Sequence, residues 1–161
     1  MSLAADLFSR AQAKGLKLAT AESCTGGLVA GAITDVAGSS AIFDRGFVTY
    51  TNAAKVAMLG VRQATLDRVG AVSEPVAAEM ARGALLASDA QIAVSITGIA
   101  GPGGSEFKPE GRVCFGIAFG GTVNTETREF GPLGRAGVRA AAVEHALRLL
   151  LQAVDSFTLK V

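Results

Sequence analysis

The chain has 161 residues, half of them hydrophobic, and a formal net charge of +1. This length is typical of one domain, and we expect residues 1–161 to form a single domain with a full core. The near-neutral charge argues against nucleic-acid binding, and the absence of an apolar run of about 18 residues argues against a membrane span. An early acid, Asp6, and no basic segment distinguish the N-terminus from a signal peptide, so we expect a cytoplasmic protein.

The residue counts also limit the chemistry. The high apolar content predicts a subunit interface, most simply that of a homodimer, or of a higher homo-oligomer. Two cysteines, Cys24 and Cys114, provide neither a disulfide framework nor a thiolate cage. The single histidine, His145, excludes a multi-histidine metal site and argues against a Ser-His-Asp triad. We interpret His145 as a helix-surface residue and Cys114 as a core residue.

Hydrophobic periodicity predicts alternating helices and strands in the first half of the chain. We expect, in order, a helix over 3–14, a strand over 16–19, a buried helix over 26–36, a strand over 41–50, a helix from Thr51 or Asn52 to about Leu59, and a weak helical turn over 63–69. Gly60 can end the helix that it follows. Ser73 can cap a further helix that reaches about Ala87, with Pro75 in its first turn.

The second half predicts the remaining sheet. A strand over 91–97 is predominantly apolar, as in a strand covered on both faces. A Gly/Pro loop over 98–111 follows, and strands over 113–119 and 123–130 flank Gly120-Gly121 as a hairpin. A long helix over 134–154 ends the pattern. This order predicts the α/β class: a three-layer α/β/α sandwich around a mixed sheet.

The segment Thr20-Ala-Glu-Ser-Cys-Thr-Gly-Gly27 places two hydroxyls and a thiol at a strand-to-helix turn. Such a turn presents free N–H groups and the positive end of a helix dipole, which suit a phosphate or the oxyanion of acyl transfer. A capped turn without catalytic function is the alternative. Ser23 is the candidate nucleophile, and the neighbouring thiol of Cys24 is an alternative to it.

Lys55 is the most informative single residue outside that turn. With Thr51 or Asn52 as the N-cap, Lys55 lies in the first turn of its helix, where the dipole disfavours a cation. The same field, with partial burial, lowers the pKa of a lysine, and a neutral lysine can deprotonate a serine. The alternative is a lysine whose ammonium extends to solvent.

The loop Gly98–Gly104 has four glycines in seven residues but lacks the Gly-Lys-Ser/Thr ending of a P-loop. Its N–H groups can approach a phosphate closely, although an irregular turn that needs positive φ explains the glycines equally well. Because the segments at residues 20–27, 50–55 and 97–104 each follow a predicted strand, we expect them to meet at one edge of the sheet.

Four motifs together resemble the CinA C-terminal domain family over essentially the whole chain. They are Ala21-Glu-Ser-Cys-Thr-Gly-Gly27, Gly46-Phe-Val-Thr-Tyr50 with Asn52 and Lys55, Thr97-Gly-Ile-Ala-Gly-Pro-Gly-Gly104, and Lys108-Pro-x-Gly111. The resemblance implies a nicotinamide-nucleotide amidase that converts nicotinamide mononucleotide to nicotinate mononucleotide and ammonia, in NAD recycling. It implies no metal and no organic cofactor, and the small nucleotide substrate is the expected partner.

The resemblance also implies the site residues. The nucleophilic serine maps onto Ser23, and the tyrosine and lysine of the family map onto Tyr50 and Lys55. The expected substrate-binding residues are Cys24, Thr25, Gly26, Gly27, Asn52, Thr97, Gly98, Ala100, Gly101, Gly103, Gly104 and Lys108. N–H groups near Thr25–Gly27 are candidates for the oxyanion hole and the Gly98–Gly104 loop for the phosphate, and the two assignments are exchangeable at the level of sequence.

The chain departs from the family pattern at two places. Ala53 stands where the family has an acid, and Ser105-Glu-Phe continues into Lys108 through a loop shorter than in many relatives. The alternative function is a non-catalytic nucleotide-binding or interaction module of the competence/damage-inducible type, which would keep the glycine loops without needing a lysine of low pKa.

Overall fold

A computed structural model describes residues 1–158 of the chain as a sheet between two layers of helices. The helices are α1 (Leu3–Lys14), α2 (Leu28–Thr34), α3 (Asn52–Leu59), α4 (Gln63–Val69), α5 (Glu74–Leu86) and α6 (Gly134–Ser156). The strands are β1 (Leu18–Glu22), β2 (Phe43–Val48), β3 (Ile92–Gly98), β4 (Arg112–Phe119) and β5 (Thr122–Glu129). The predicted α/β/α sandwich is confirmed. The end of the predicted single domain, residues 159–161, lies outside the described residues.

The sheet is mixed, with strand order β2-β1-β3-β4-β5. β1 pairs in parallel with both β2 and β3, whereas β3–β4 and β4–β5 are antiparallel. The carboxyl ends of β1, β2 and β3 therefore lie at one edge, where ligands of open α/β sheets gather. No helix within residues 1–158 is both long and apolar enough to cross a membrane.

Alternating side chains of the central strands separate two cores. Leu18 of β1 and Val94 of β3 face a core with α1, α2 and α6, whereas Ala19 of β1 and Ala93 of β3 face a core with α3, α4 and α5. This alternation follows from the two-residue period of a strand. The strands at the centre are buried on both faces, which explains why β3 is mostly apolar, with Ser95 and Thr97 as its buried polar residues.

Most predicted helix ends are confirmed by their caps. The Thr51 and Ser73 hydroxyls accept the N–H groups of Ala54 (3.1 Å) and Val76 (3.4 Å), and Gly60 ends α3 in the left-handed conformation at φ 69°. The predicted weak turn over 63–69 is a full two-turn helix, α4.

The largest error in the predicted elements concerns the first strand, which spans Leu18–Glu22 rather than 16–19. The polar residues Thr20 and Glu22 interrupt the apolar run, yet both side chains are fully buried in the sheet. Two neighbouring elements are shorter than predicted, since α2 covers Leu28–Thr34 rather than 26–36 and β2 covers Phe43–Val48 rather than 41–50. The turn that carries Ser23 therefore lies wholly after the strand.

Substitution of Gly83 tests how closely α5 packs against the end of α3. Replacing glycine by alanine inside a helix normally stabilises it by about 1 kcal/mol. A Cβ on Gly83 would, however, lie 1.9 Å from the carbonyl oxygen of Leu59 and 2.8 Å from its carbonyl carbon. We expect Gly83→Ala to lower the free energy of unfolding by about 2 kcal/mol, because main-chain atoms must move apart.

Gly31→Ala in α2 is the matched control, since a Cβ there meets nothing within 4 Å. This variant should leave stability unchanged or raise it by up to about 1 kcal/mol in the same urea titration. A Gly83→Ala protein as stable as its parent would contradict the close packing of α5 on α3.

Candidate active site

An open cleft of about 350 Å³ lies at the carboxyl ends of β1, β2 and β3. Its lining residues are Ser23, Cys24, Tyr50, Asn52, Lys55, Ala71, Val72, Thr97–Glu106 and Arg135. The three segments expected to converge do meet here. Of the predicted substrate-binding residues, Cys24, Asn52, Thr97, Gly98, Ala100, Gly101, Gly103 and Gly104 line the cleft, whereas Thr25, Gly26, Gly27 and Lys108 do not.

Ser23 and Lys55 form a buried pair in this cleft. The Lys55 Nζ lies 2.9 Å from the Ser23 Oγ, 2.9 Å from the carbonyl oxygen of Thr49 and 3.4 Å from that of Tyr50. Only 1% of Lys55 is exposed, so its ammonium does not extend to solvent. α3 begins after the Thr51 cap, which places Lys55 on its fourth residue, over the end of β1.

The surroundings of Lys55 favour the neutral amine. Burial lowers its pKa below the ordinary 10.5, although the Cys24 thiol, once ionised, and the Glu106 carboxylate oppose this shift. A neutral amine has two N–H donors and one lone pair. In this structure the Lys55 Nζ donates to the Ser23 Oγ and to the carbonyls of Thr49 and Tyr50. After loss of a proton the two carbonyls still accept the two remaining N–H groups, and the lone pair of the amine can accept the Ser23 hydroxyl.

Glu22 corrects the expectation that the start of α2 binds a ligand. Its carboxylate accepts the N–H groups of Val29 (2.9 Å) and Ala30 (3.0 Å) and the hydroxyl of Thr25 (2.6 Å). The protein therefore fills the positive end of α2 with its own anion. The segment Thr25–Gly27 does not line the cleft, and its expected contact with the substrate stays a prediction.

Cys24 lines the cleft as a protonated thiol. It is buried, and this burial raises its pKa to about 11. The nucleophilic form of cysteine is the thiolate, which is rare at neutral pH when the pKa is this high. No comparable penalty applies to Ser23, whose hydroxyl already contacts an amine.

The glycine-rich loop is fixed by side chains outside the cleft. Glu110 accepts the N–H groups of Gly103 (2.6 Å) and Gly134 (2.9 Å), so it ties the loop to the start of α6. Lys108 donates to the carbonyls of Val69 (2.8 Å) and Val72 (2.7 Å). The expected substrate contact of Lys108 is therefore replaced by a bond to the α4–α5 connection.

Tyr50 and Arg135 form the other wall. Arg135 Nη2 donates to the Tyr50 hydroxyl (2.6 Å), and Arg135 Nη1 donates to the carbonyl of Gly101 (2.8 Å). Tyr50 is 57% exposed, and the atom of Tyr50 that contacts Lys55 is its carbonyl oxygen rather than its hydroxyl. A proton relay through the phenol stays a prediction, without a contact to Lys55 in this structure.

Sequence reasoning missed Arg135 and Glu106, which both line the cleft. Neither belongs to a periodic pattern or a motif, and Arg135 is 112 positions after Ser23. Within residues 1–158, no three His, Cys, Asp or Glu side chains are grouped closely enough to hold a metal ion. His145 lies elsewhere, against Phe115 and bonded to Glu126.

Comparison with known proteins agrees with the fold and the motifs. Residues 1–154 match the family model of the CinA C-terminal domain. The chain is 54% identical over 153 residues to the nicotinamide-nucleotide amidohydrolase PncC of Escherichia coli (strain K12), covering 94% of this chain and 93% of that protein. It is 53% identical over 148 residues to a CinA-like protein of Chlorobium phaeobacteroides (strain BS1), covering 89% of this chain and 35% of that protein.

Solved structures give the same result. The competence/damage inducible protein CihA of Agrobacterium tumefaciens superposes with a TM-score of 0.91 at 50% identity, over 96% of this chain and 94% of that one. A competence damage-inducible protein A of Klebsiella pneumoniae superposes with a TM-score of 0.93 at 38% identity, over 97% of both chains.

Proposed function

Because the chain belongs to the CinA C-terminal domain family, we propose that it is an amidohydrolase that deamidates nicotinamide mononucleotide. The products are nicotinate mononucleotide and ammonia, and the reaction serves NAD recycling. The observation that carries this proposal is the buried 2.9 Å contact between the Ser23 hydroxyl and the Lys55 amine. A module that only binds nucleotides gains nothing from burying a lysine against a serine, so this contact favours an enzyme.

The first half of the reaction forms an acyl-enzyme. The neutral Lys55 amine takes the proton of the Ser23 hydroxyl as the Oγ attacks the carboxamide carbon. The C=O electron pair moves onto oxygen and gives a tetrahedral oxyanion. When this intermediate collapses, the C–N bond breaks, and the Lys55 ammonium returns the proton to the leaving nitrogen, which departs as ammonia.

The second half uses the same groups in reverse. Lys55, neutral again, takes a proton from a water molecule as that water attacks the ester carbon of the acyl-enzyme. Collapse of the second oxyanion breaks the bond to the Ser23 Oγ, which recovers its proton from Lys55. The pyridine carboxylate then leaves, and no metal or organic cofactor takes part in either half.

The oxyanion and the phosphate need separate partners. Because Val29 and Ala30 donate to Glu22, the first turn of α2 has no N–H groups left at these positions for either. We assign the oxyanion to the backbone N–H of Cys24, which follows the nucleophile and borders the cleft, and the phosphate to Arg135. Asn52 and the Gly98–Gly104 loop complete the binding surface.

We also propose that residues 1–161 fold as a single domain, that the protein acts in the cytoplasm, and that it forms a homodimer or a higher homo-oligomer. Exposed apolar side chains lie at the edge strand β2 and the start of α2, where Val48 is 46% and Leu28 44% exposed. Within the described sheet β2 pairs with β1 alone, so its other edge offers free backbone groups to a second copy.

Ser23→Ala should abolish ammonia release from nicotinamide mononucleotide, while the fold and substrate binding persist. The variant removes one oxygen atom, the Ser23 Oγ that lies 2.9 Å from the Lys55 amine. Cys24→Ala is the matched control at the next position, and it should keep most of the activity because the thiol of Cys24 stays protonated. Loss of turnover in Cys24→Ala together with an active Ser23→Ala protein would assign the nucleophile to the thiol.

Lys55→Arg should lower the rate by a factor of about 10²–10⁴, nearly as much as Lys55→Ala, because arginine keeps the charge but cannot release its proton. In the parent enzyme the rate should rise with pH through one ionisation below 10.5, since the active form is the neutral amine and its pKa is lowered. Initial rates of ammonia release over a pH series measure both the loss of rate in Lys55→Arg and the pH dependence of the parent enzyme. Lys55→Met is the control for folding. Near-normal turnover in Lys55→Arg would assign Lys55 to substrate binding rather than to proton transfer.

Val48→Asp should shift the sedimentation of the protein toward the monomer at micromolar concentration, because a charge would enter the apolar surface at β2. Thr122→Asp, at the opposite edge strand β5, is the control and should leave the oligomer intact. A parent protein that sediments only as a monomer would contradict the proposed assembly.

A further inference from the structure

The walls of the cleft carry opposite charges. Among the described residues that line it, Glu106 is the one acidic side chain, and Arg135 and Lys55 are the basic ones. Lys55 lies on the floor, where its surroundings favour the neutral amine. The charged side chains on the two walls are the Glu106 carboxylate and the Arg135 guanidinium.

These two charges belong to opposite helical layers. Arg135 is in the first turn of α6, which packs on the face of the sheet that also carries α1 and α2. The Glu106 carboxylate lies on the α4–α5 connection of the other face, where a Cβ on Gly70 would be 2.9 Å from its Oε2 atom. A ligand that reaches Ser23 between the two walls has an anion on one side and a cation on the other.

The backbone that holds Glu106 is strained. Glu106 and Phe107 have φ values of 51° and 62°, and they form the two-residue tip between Ser105 and Lys108, which exchange both backbone hydrogen bonds (3.0 and 2.8 Å). Such a tip normally contains Asn-Gly, because side chains disfavour positive φ. Strain of this kind persists where the surroundings impose it and points to a function for the residues concerned.

We propose that Glu106 binds the positively charged ring of a pyridinium nucleotide and thereby selects cationic N-substituted pyridine amides over neutral ones. This inference rests on the proposed function. Nicotinamide mononucleotide carries a positive ring and a negative phosphate, which match the charges of Glu106 and Arg135. The carboxamide, on the ring, then reaches Ser23 on the floor. A neutral Lys55 does not repel the ring, whereas its protonated form would.

The affinities of two probes for the Ser23→Ala protein isolate the effect of the ring charge from that of the rest of the substrate. The two probes are nicotinamide mononucleotide and its reduced 1,4-dihydro form, which share ribose, phosphate and carboxamide but differ in the charge of the ring. We expect the oxidised form to bind about tenfold more tightly, as a partly screened ion pair allows. Adding Glu106→Gln should reduce this preference to about twofold or less, mainly by weakening the oxidised form.

Glu144→Gln is the matched control, since it removes one negative charge from the exposed surface of α6, where Glu144 pairs with Arg148. It should leave the tenfold preference unchanged. Raising the salt concentration should narrow the preference in the Glu106 protein and have little effect in Glu106→Gln.

Three results would overturn the inference. If Glu106→Gln weakened the binding of both probes equally, the carboxylate would be assigned to the ribose hydroxyls or to the loop. If both probes bound equally before that substitution, the protein would have no preference for a charged ring. Failure of nicotinamide mononucleotide itself to bind the Ser23→Ala protein would overturn the proposed function, and the role of Glu106 with it. Binding of both without discrimination overturns the role of Glu106 alone.

Discussion

The hydrogen bond between Ser23 and Lys55 requires that a lysine be buried without an anionic partner, and much of the surrounding structure serves this requirement. Thr51 caps α3 so that Lys55 falls over the end of β1. Carbonyl groups of Thr49 and Tyr50 accept its N–H groups. A carboxylate in their place would stabilise the ammonium and remove the base, so the neutral acceptors matter as much as the burial.

The buried lysine lowers stability, and the sign of this effect follows from its pKa. The folded state holds the Lys55 proton less tightly than the unfolded chain, in which the pKa is near 10.5. Between the lowered folded value and 10.5, the unfolded state therefore binds more protons, and the free energy of unfolding rises with pH. Below the folded value the protein carries a buried ammonium at its full cost, which is consistent with the proposed catalytic role of Lys55 and gives no gain in stability.

Sequence signals that act within a few residues made the outline of the fold predictable. Contacts between groups far apart in the chain, which offset the cost of burying polar side chains, were not predictable in this way. Capping residues, glycines at helix ends and the Gly120-Gly121 hairpin act within a few residues, and they predicted most elements. The predicted first strand ends before Glu22 because a buried carboxylate at a strand end becomes favourable only through the N–H groups seven and eight residues away. Likewise, Lys55 and Ser23 were predictable from their turns, but Arg135 and Glu106 are brought to the cleft by packing alone.

The use of Glu22 as an internal anion decides how the cleft can bind charge. Many phosphate sites use a helix N-terminus. Here the positive end of α2 instead interacts with Glu22, next to the turn that carries Ser23. Charged side chains on the walls must supply the recognition instead, and side chains can carry both signs, which a helix terminus cannot. The interaction that fixes Ser23 thus also leaves the cleft with separate positive and negative walls, an arrangement suited to a substrate that carries both charges.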